Sequence, residues 1–233
     1  MANSQKLRAK IQQYKNVSVI HRFSASDFTE RCDKLAAAEP IFKQVLQAYG
    51  YPPMWSRPQG FASLIHIILE QQVSLASAKA AFDKLQATLG SITPEGLMGL
   101  SDETLKACYF SRQKTLYARG LATAILMKEI NPDAWQHFPD DEIRSRMKQL
   151  KGIGDWTVDI YLLFTLQRSD IFPLGDLAMV NALKELKQLP AGSDKAALLS
   201  AAANWRPNRS LATMMLWHYY LERRKARLQK RNV

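Results

Sequence analysis

In the segment MKQLKGIGDWTVDIYLLF, residues 147–164, Gly152 and Gly154 flank Ile153 between two stretches of helical periodicity. Glycines at such a joint allow a tight turn with positive φ and let the backbone come close to a partner. The second helix starts just after them, so its unpaired N–H groups and positive dipole end face outward, an arrangement that holds a phosphate. Lys151 adds charge, Thr157 offers a hydroxyl to the same region, and Ile153 is the apolar knob expected between the two helices. A bare G-x-G marks many ordinary turns; the helical context and the basic chain make phosphate-backbone binding the preferred reading. Further along, Asp176 follows Gly175 and precedes Leu177, Val180, Leu183 and Leu186. Taken alone, that setting reads as a helix N-cap. Capping does not exclude chemistry, because the N–H groups a cap meets favour negative charge. The five tryptophans supply electron-rich ring faces of the kind that attract a cationic ligand, although a tryptophan at helical spacing also reads as core.

Metal and thiol chemistry are not indicated, and no metal site is expected. Cys32 and Cys108 are too few for a four-thiolate zinc or iron–sulfur centre and read as small buried hydrophobes in a reducing compartment. The four histidines, His21, His66, His137 and His218, include no i, i+4 pair. The 233-residue chain carries 32 Lys and Arg against 21 Asp and Glu, a formal charge of +11, which points to a polyanionic partner, most commonly nucleic acid. An anionic membrane surface competes with that reading, but no apolar run approaches the roughly 20 residues a spanning helix needs. The N-terminal stretch MANSQKLRAKIQQYKNVSVIHRF has no secretory apolar segment. The expectation is a soluble, cytoplasmic or nucleoid-associated monomer, nuclear if the source is eukaryotic.

The elements that must position these residues read almost entirely as helix. Ser24 and Asp27 open a capping-box pattern ahead of Phe28, Cys32 and Leu35, and Pro40 starts a run that Gly50 can end. Residues 51–58, YPPMWSRP, form a loop by their prolines. Helical periodicity resumes at Phe61, Leu64, Ile65, Ile68 and Leu69, breaks at the polar turn QQVS (71–74), and continues through Ala78, Phe82, Leu85 and Leu89. Thr93-Pro94 caps a short helix over 94–99; others fit 102–109 and about 112–129. A helix opened by Asp140 and Asp141 leads into the glycine joint, followed by a helix at 155–167, a connector at 168–175 and three more helices. Asp155 and Asp159 are expected to supply a cap and a polar face of the helix after the joint. Almost no sheet is expected.

Taken together, LKGIG-DWT-VDIYLLF, IFPLGD at 171–176, GFASLIHIILEQQVSLASAKAAF at 60–82 and NWRPNRSLATMMLWHY at 204–219 resemble the helix-hairpin-helix glycosylase superfamily. Within it, the chain is similar to the DNA-3-methyladenine glycosylase II family of alkylbase DNA glycosylases. The motifs cover most of residues 55–220. The resemblance implies an all-α fold without an iron–sulfur cluster: one domain over 1–233 with two lobes around a DNA-binding cleft. One lobe holds both termini, about 1–60 and 170–233; the central lobe is about 61–169, with the hairpin at 147–164. It implies that Asp176 is the catalytic carboxylate and that Trp156, Trp217, Gln71 and, more loosely, Trp55 line the base pocket. Gln72 takes the wedge position that fills the gap left by a flipped base. Val73 and Ser74 of the same turn join Lys151, Gly152, Ile153, Gly154 and Thr157 in binding DNA. QQVS also reads as a plain polar turn. Ile160 and Leu177 fall where some relatives have tyrosine.

The function so implied is monofunctional hydrolysis of the N-glycosidic bond of alkylated purines, such as 3-methyladenine and 7-methylguanine, in double-stranded DNA during base excision repair. Lyase-competent members place a lysine where Trp156 stands, and an indole cannot form a Schiff base. No cofactor is implied, although the resemblance allows a monovalent cation on hairpin carbonyls around Leu150 and Gly152. Excision of another lesion such as uracil or hypoxanthine, or DNA binding without catalysis, are the alternatives. The basic tail LERRKARLQKRNV, 221–233, reads as a solvated helix end or an auxiliary DNA contact.

Overall fold

The computed structural model describes residues 20–231. The expectations for the first nineteen residues, including the absence of a secretory segment and their place in a lobe, lie outside the described residues. Among the described residues there are twelve α-helices, and the one ladder contact is an isolated antiparallel bridge between Arg22 and Arg168. The chain divides into two compact units, one built from Arg57–Leu166 and the other from His21–Ser56 with the chain from Gln167 onward.

The first unit contains α3 (Phe61–Glu70), α4 (Leu75–Leu89), α5 (Pro94–Met98), α6 (Asp102–Ala107), α7 (Arg112–Leu126), α8 (Asp140–Met147) and α9 (Asp155–Ile160), with a 3-10 turn at Pro132–His137. Helix α3 is apolar on nearly every side, which suits a helix enclosed by neighbours rather than one with a wet face. It packs against α4, α7 and α9, and Leu64, Ile65, Ile67, Ile68 and Leu69 are all buried. Short polar residues fix where helices start. Ser74, Thr93, Ser101 and Ser111 each accept the backbone N–H three residues on, satisfying donors that the first helical turn leaves open.

Where one continuous helix was expected over 155–167, α9 ends at Ile160 and the chain widens into a π-turn over Tyr161–Thr165, with Leu166 N–H donating to the Tyr161 carbonyl at 3.2 Å. Apolar periodicity is blind to this change, because Tyr161, Leu162 and Leu163 are buried all round the turn. Nearby, the Phe164 carbonyl accepts from Arg57 N–H at 3.0 Å, and the Arg57 guanidinium lies 5.5 Å from the Phe164 ring centre. Arg57 also forks onto Glu70 at 2.9 and 2.5 Å, tying the loop to the end of α3.

The second unit holds α1 (Phe28–Ala38), α2 (Pro40–Tyr49), α10 (Leu177–Lys187), α11 (Lys195–Ala201) and α12 (Arg209–Arg231), with a 3-10 turn at Ala203–Trp205. The expected capping box before α1 forms only in part. Asp27 accepts the Ser24 N–H at 2.6 Å, but α1 starts after Asp27 and no side chain caps it. Helix α12 is the centre of the unit, packed on α1, α2 and α10, and its residues from Leu211 to Tyr219 are buried. The helix continues through the basic tail as far as Arg231, and Arg223 pairs with Glu185 at 2.7 Å.

Both cysteines are buried and unpaired with each other. Burial, with a smaller push from the Asp33 charge, raises the Cys32 thiol to about 12. The thiolate is the reactive form, so native Cys32 is expected to resist iodoacetamide at pH 8 and to react once the protein is denatured. Mass spectrometry of labelled peptides checks this, and rapid native labelling at Cys32 would contradict it.

Candidate functional site

In the second unit, Asp176 caps α10, as its sequence context predicts. Its Oδ1 accepts the Met179 N–H at 2.9 Å and the Trp217 Nε1–H at 2.9 Å. Two donors from different helices therefore fix one oxygen of a partly exposed carboxylate, which is how a rotatable side chain becomes a positioned charge. The Trp217 ring is 8% exposed and meets Trp55 edge-on, with centroids 6.5 Å apart and planes at 82°. Asp176, Trp217 and Trp55 are thus one cluster, although the chain separates them by up to 162 positions (217 minus 55). Leu177, which follows Asp176, is 77% exposed, leaving an apolar side chain in water at the edge of that cluster. It stood out in the sequence only as a departure from the aromatic of some relatives.

The first unit holds the glycine joint. Gly152 has φ of +84°, and a Cβ built on it would fall 2.2 Å from the Tyr117 ring, so both conformation and space demand glycine there. Gly154 differs from expectation. Its φ of −103° and ψ of −178° are ordinary extended backbone, and open space surrounds the place of its Cβ. Its function is to precede α9 as the N-cap, with no side chain shielding the helix end. Ile153 is buried, as expected of a knob, and Lys151 is exposed.

Thr157 requires a correction. It is 2% exposed, and its hydroxyl accepts from Gln71 Nε2 at 3.0 Å instead of facing outward to a phosphate. Four positions into the hairpin sequence from Ile153, its side chain falls on the inner side of α9. Gln71 changes with it: its amide nitrogen also donates to the Gly152 carbonyl at 2.9 Å, so the donor end of this side chain is engaged by the hairpin. Gln72 has φ of +57° and is exposed, and Val73 beside it is 45% exposed, so this turn presents its side chains to solvent. Ser74 is exposed too, but its oxygen caps α4 by accepting from Ser77 N–H at 3.1 Å. Trp156 is partly exposed on α9. Asp155 pairs with Lys148 at 2.7 Å and provides no cap, while Asp159 is buried against Arg144 and lies on no polar face. A carboxylate enters an interior when a guanidinium accompanies it, and Arg144 gave no such signal in the sequence.

Among the described residues no cluster of three His, Cys, Asp or Glu could hold a metal ion. The hairpin carbonyls have local partners: Leu150 O accepts from Ile153 N–H at 3.1 Å and Gly152 O from Gln71. Sequence reasoning also missed Lys114 and Tyr117 of α7. The Lys114 ammonium donates to the Leu69 carbonyl at 2.5 Å, and Tyr117 lies against Gly152. Both lie on a helix whose surface residues show no sign of their partners in sequence. No described helix is long and apolar enough to cross a membrane.

Residues 65–207 match the family model described as HhH-GPD superfamily base excision DNA repair protein. A DNA-3-methyladenine glycosylase of Schizosaccharomyces pombe is 28% identical over 190 residues, 78% of this chain and 83% of the relative. A solved structure from the same yeast, a 3-methyladenine DNA glycosylase in complex with abasic DNA, superposes with a TM-score of 0.73 at 26% identity, covering 81% of this chain and 95% of that one. A DNA-3-methyladenine glycosidase from Bacillus halodurans gives 0.67 at 26% identity, covering 86% and 92%.

Proposed function

The chain belongs to the HhH-GPD superfamily of base excision DNA repair proteins, and on that premise we propose that it is a monofunctional DNA glycosylase that hydrolyses the N-glycosidic bond of alkylated purines in double-stranded DNA. The observation that carries the reading is the carboxylate of Asp176, held by Met179 N–H and Trp217 Nε1–H beside a pair of tryptophans. The names of the relatives support the substrate class.

A base cannot be attacked inside a duplex, so its nucleotide is turned out of the stack. A purine alkylated at N3 or N7 carries positive charge, which weakens its bond to C1′ and lets it leave without a proton from the enzyme. The bonding pair goes to the base, and the sugar acquires oxocarbenium character. Asp176 stabilises that positive charge and orients a water, whose oxygen bonds to C1′ as its proton passes to bulk water. The faces of Trp217 and Trp55 suit a cationic base through their ring quadrupoles, and Trp156 is assigned to the same role through the resemblance. With tryptophan at position 156, no amine is placed to cut the strand. The hairpin and the +11 charge suit binding to phosphates, with an affinity that falls steeply with salt.

The test is release of free base from DNA treated with a methylating agent. Release of 3-methyladenine and 7-methylguanine with no strand cleavage is expected. Tight binding to that DNA without release of either base would overturn the reading. Trp217→Phe keeps a ring and removes the donor to Asp176, so single-turnover release should slow by about tenfold while duplex affinity holds. An unchanged release rate would mean that this hydrogen bond does not orient the carboxylate.

A further inference from the structure

The resemblance places Gln71 in the lining of a base pocket, but its bonds lead elsewhere. Its Nε2 donates to the Gly152 carbonyl at 2.9 Å and to Thr157 Oγ1 at 3.0 Å. A carbonyl has no proton to give, so Gln71 must present nitrogen to it, and the hairpin sets the orientation of the amide. Gln71 is also the C-cap of α3, and the next residue, Gln72, begins the exposed turn. Helix α7 braces the same joint twice. Lys114 holds the Leu69 carbonyl at the end of α3, and one turn on, Tyr117 occupies the space beside Gly152. Burial lowers the Lys114 ammonium from the ordinary lysine value, in keeping with its place inside the joint. Thr157 is buried, so the Gln71 bonds belong to the interior of the unit.

We propose that Gln71 is a positioning residue: its amide locks the exposed 72–74 turn to the hairpin, so that the grip on phosphate and the insertion of Gln72 into the duplex act as one rigid movement. The inference rests on the reading of the hairpin as a phosphate contact. A glutamine that lined the pocket would discriminate between leaving bases, whereas one that sets the relation of two DNA-contacting segments affects every base alike. Position 71 would then influence binding to undamaged duplex, where no base is turned out.

The experiment uses Gln71→Met, close in length but without a donor, Thr157→Val, the double variant, and Thr157→Ser, which keeps the hydroxyl. Two quantities are measured: affinity for an undamaged duplex, and single-turnover release of 3-methyladenine, 7-methylguanine and hypoxanthine. Gln71→Met is expected to weaken undamaged-duplex binding by about fivefold to tenfold and to slow release of each base by a common factor. The double variant should match Gln71→Met to within roughly twofold, because Gln71→Met already removes the bond that Thr157→Val breaks, and Thr157→Ser should behave as wild type. Loss confined to one base with unchanged duplex affinity, additive effects of the two changes, or no effect at all would overturn the proposal. Gly154→Asp separates this from the underlying reading by placing a carboxylate at the outward end of the hairpin. If Gly154→Asp leaves duplex affinity unchanged, the phosphate contact fails and the proposal with it. If Gly154→Asp weakens binding and Gln71→Met does not, only the positioning role is lost.

Discussion

Asp176→Asn is expected to bind DNA as wild type does and to release methylpurines two to three orders of magnitude more slowly. Asparagine has the same shape, and its Oδ1 can still accept from Met179 N–H and Trp217 Nε1–H, so the cap on α10 and the edge of the aromatic pair stay where they are. What disappears is the negative charge. Loss of one preorganised electrostatic partner to a developing charge typically costs about 100-fold to 1,000-fold in rate. The substitution thus separates the two functions of the residue, since the structural one survives in asparagine and the chemical one does not. Single-turnover release from methylated DNA, together with anisotropy on a duplex, measures both. Release at the wild-type rate would remove Asp176 from the chemistry and leave it as a cap.

Gly152→Ala should be the most damaging change in the hairpin. The backbone at φ of +84° disfavours any side chain, at a cost of about 1 kcal/mol or more. The methyl would also fall 2.2 Å from Tyr117 Cδ2 and 2.3 Å from Cγ. These atoms sit near the root of the tyrosine, so the ring cannot swing clear by a rotation at its tip. Overpacking of this kind costs about 1–3 kcal/mol, so a total of roughly 2–4 kcal/mol is expected. Either the unit loses that stability or the loop moves and the Gly152 carbonyl leaves Gln71. Thermal unfolding reads the first, and undamaged-duplex affinity, expected to fall about fivefold to thirtyfold if about half of that energy opposes binding, reads the second. The companion Gly152→Ala, Tyr117→Ala variant relieves the overlap and retains the φ cost, so it should recover part of the loss. Wild-type stability and affinity in Gly152→Ala would refute the account.

Helix placement could be read well from this chain because caps and glycines are local signals. Ser74, Thr93, Ser101, Ser111 and Asp194 cap the helices that follow them, and Gly50 and Gly90 close those before. Asp176 was legible for the same reason, as an N-cap, while its chemical role came through the resemblance. Tertiary pairings were less accessible. Thr157 looks equally able to face a phosphate or the interior until α3 is in place, and the turn to Gln71 decides it. Nothing local to Trp217 announces that its indole meets Asp176 across 41 positions. Gly152 and Gly154 look alike in sequence, yet one needs a left-handed backbone and the other an unshielded helix end.

The π-turn at Tyr161–Thr165 also bears on how this chain can change in length over time. A widened turn accommodates one residue more than the α-helix around it, and a single deletion would restore the regular winding. Each residue of an α-helix turns the chain by about 100°, so such a deletion would rotate everything on one side of the cut by that angle. Phe164 would lose its alignment with Arg57, both ring to guanidinium and carbonyl to N–H. The extra residue is therefore held in place by partners outside its own helix, which makes this stretch intolerant of the length drift that loops absorb, even where its individual apolar side chains are interchangeable.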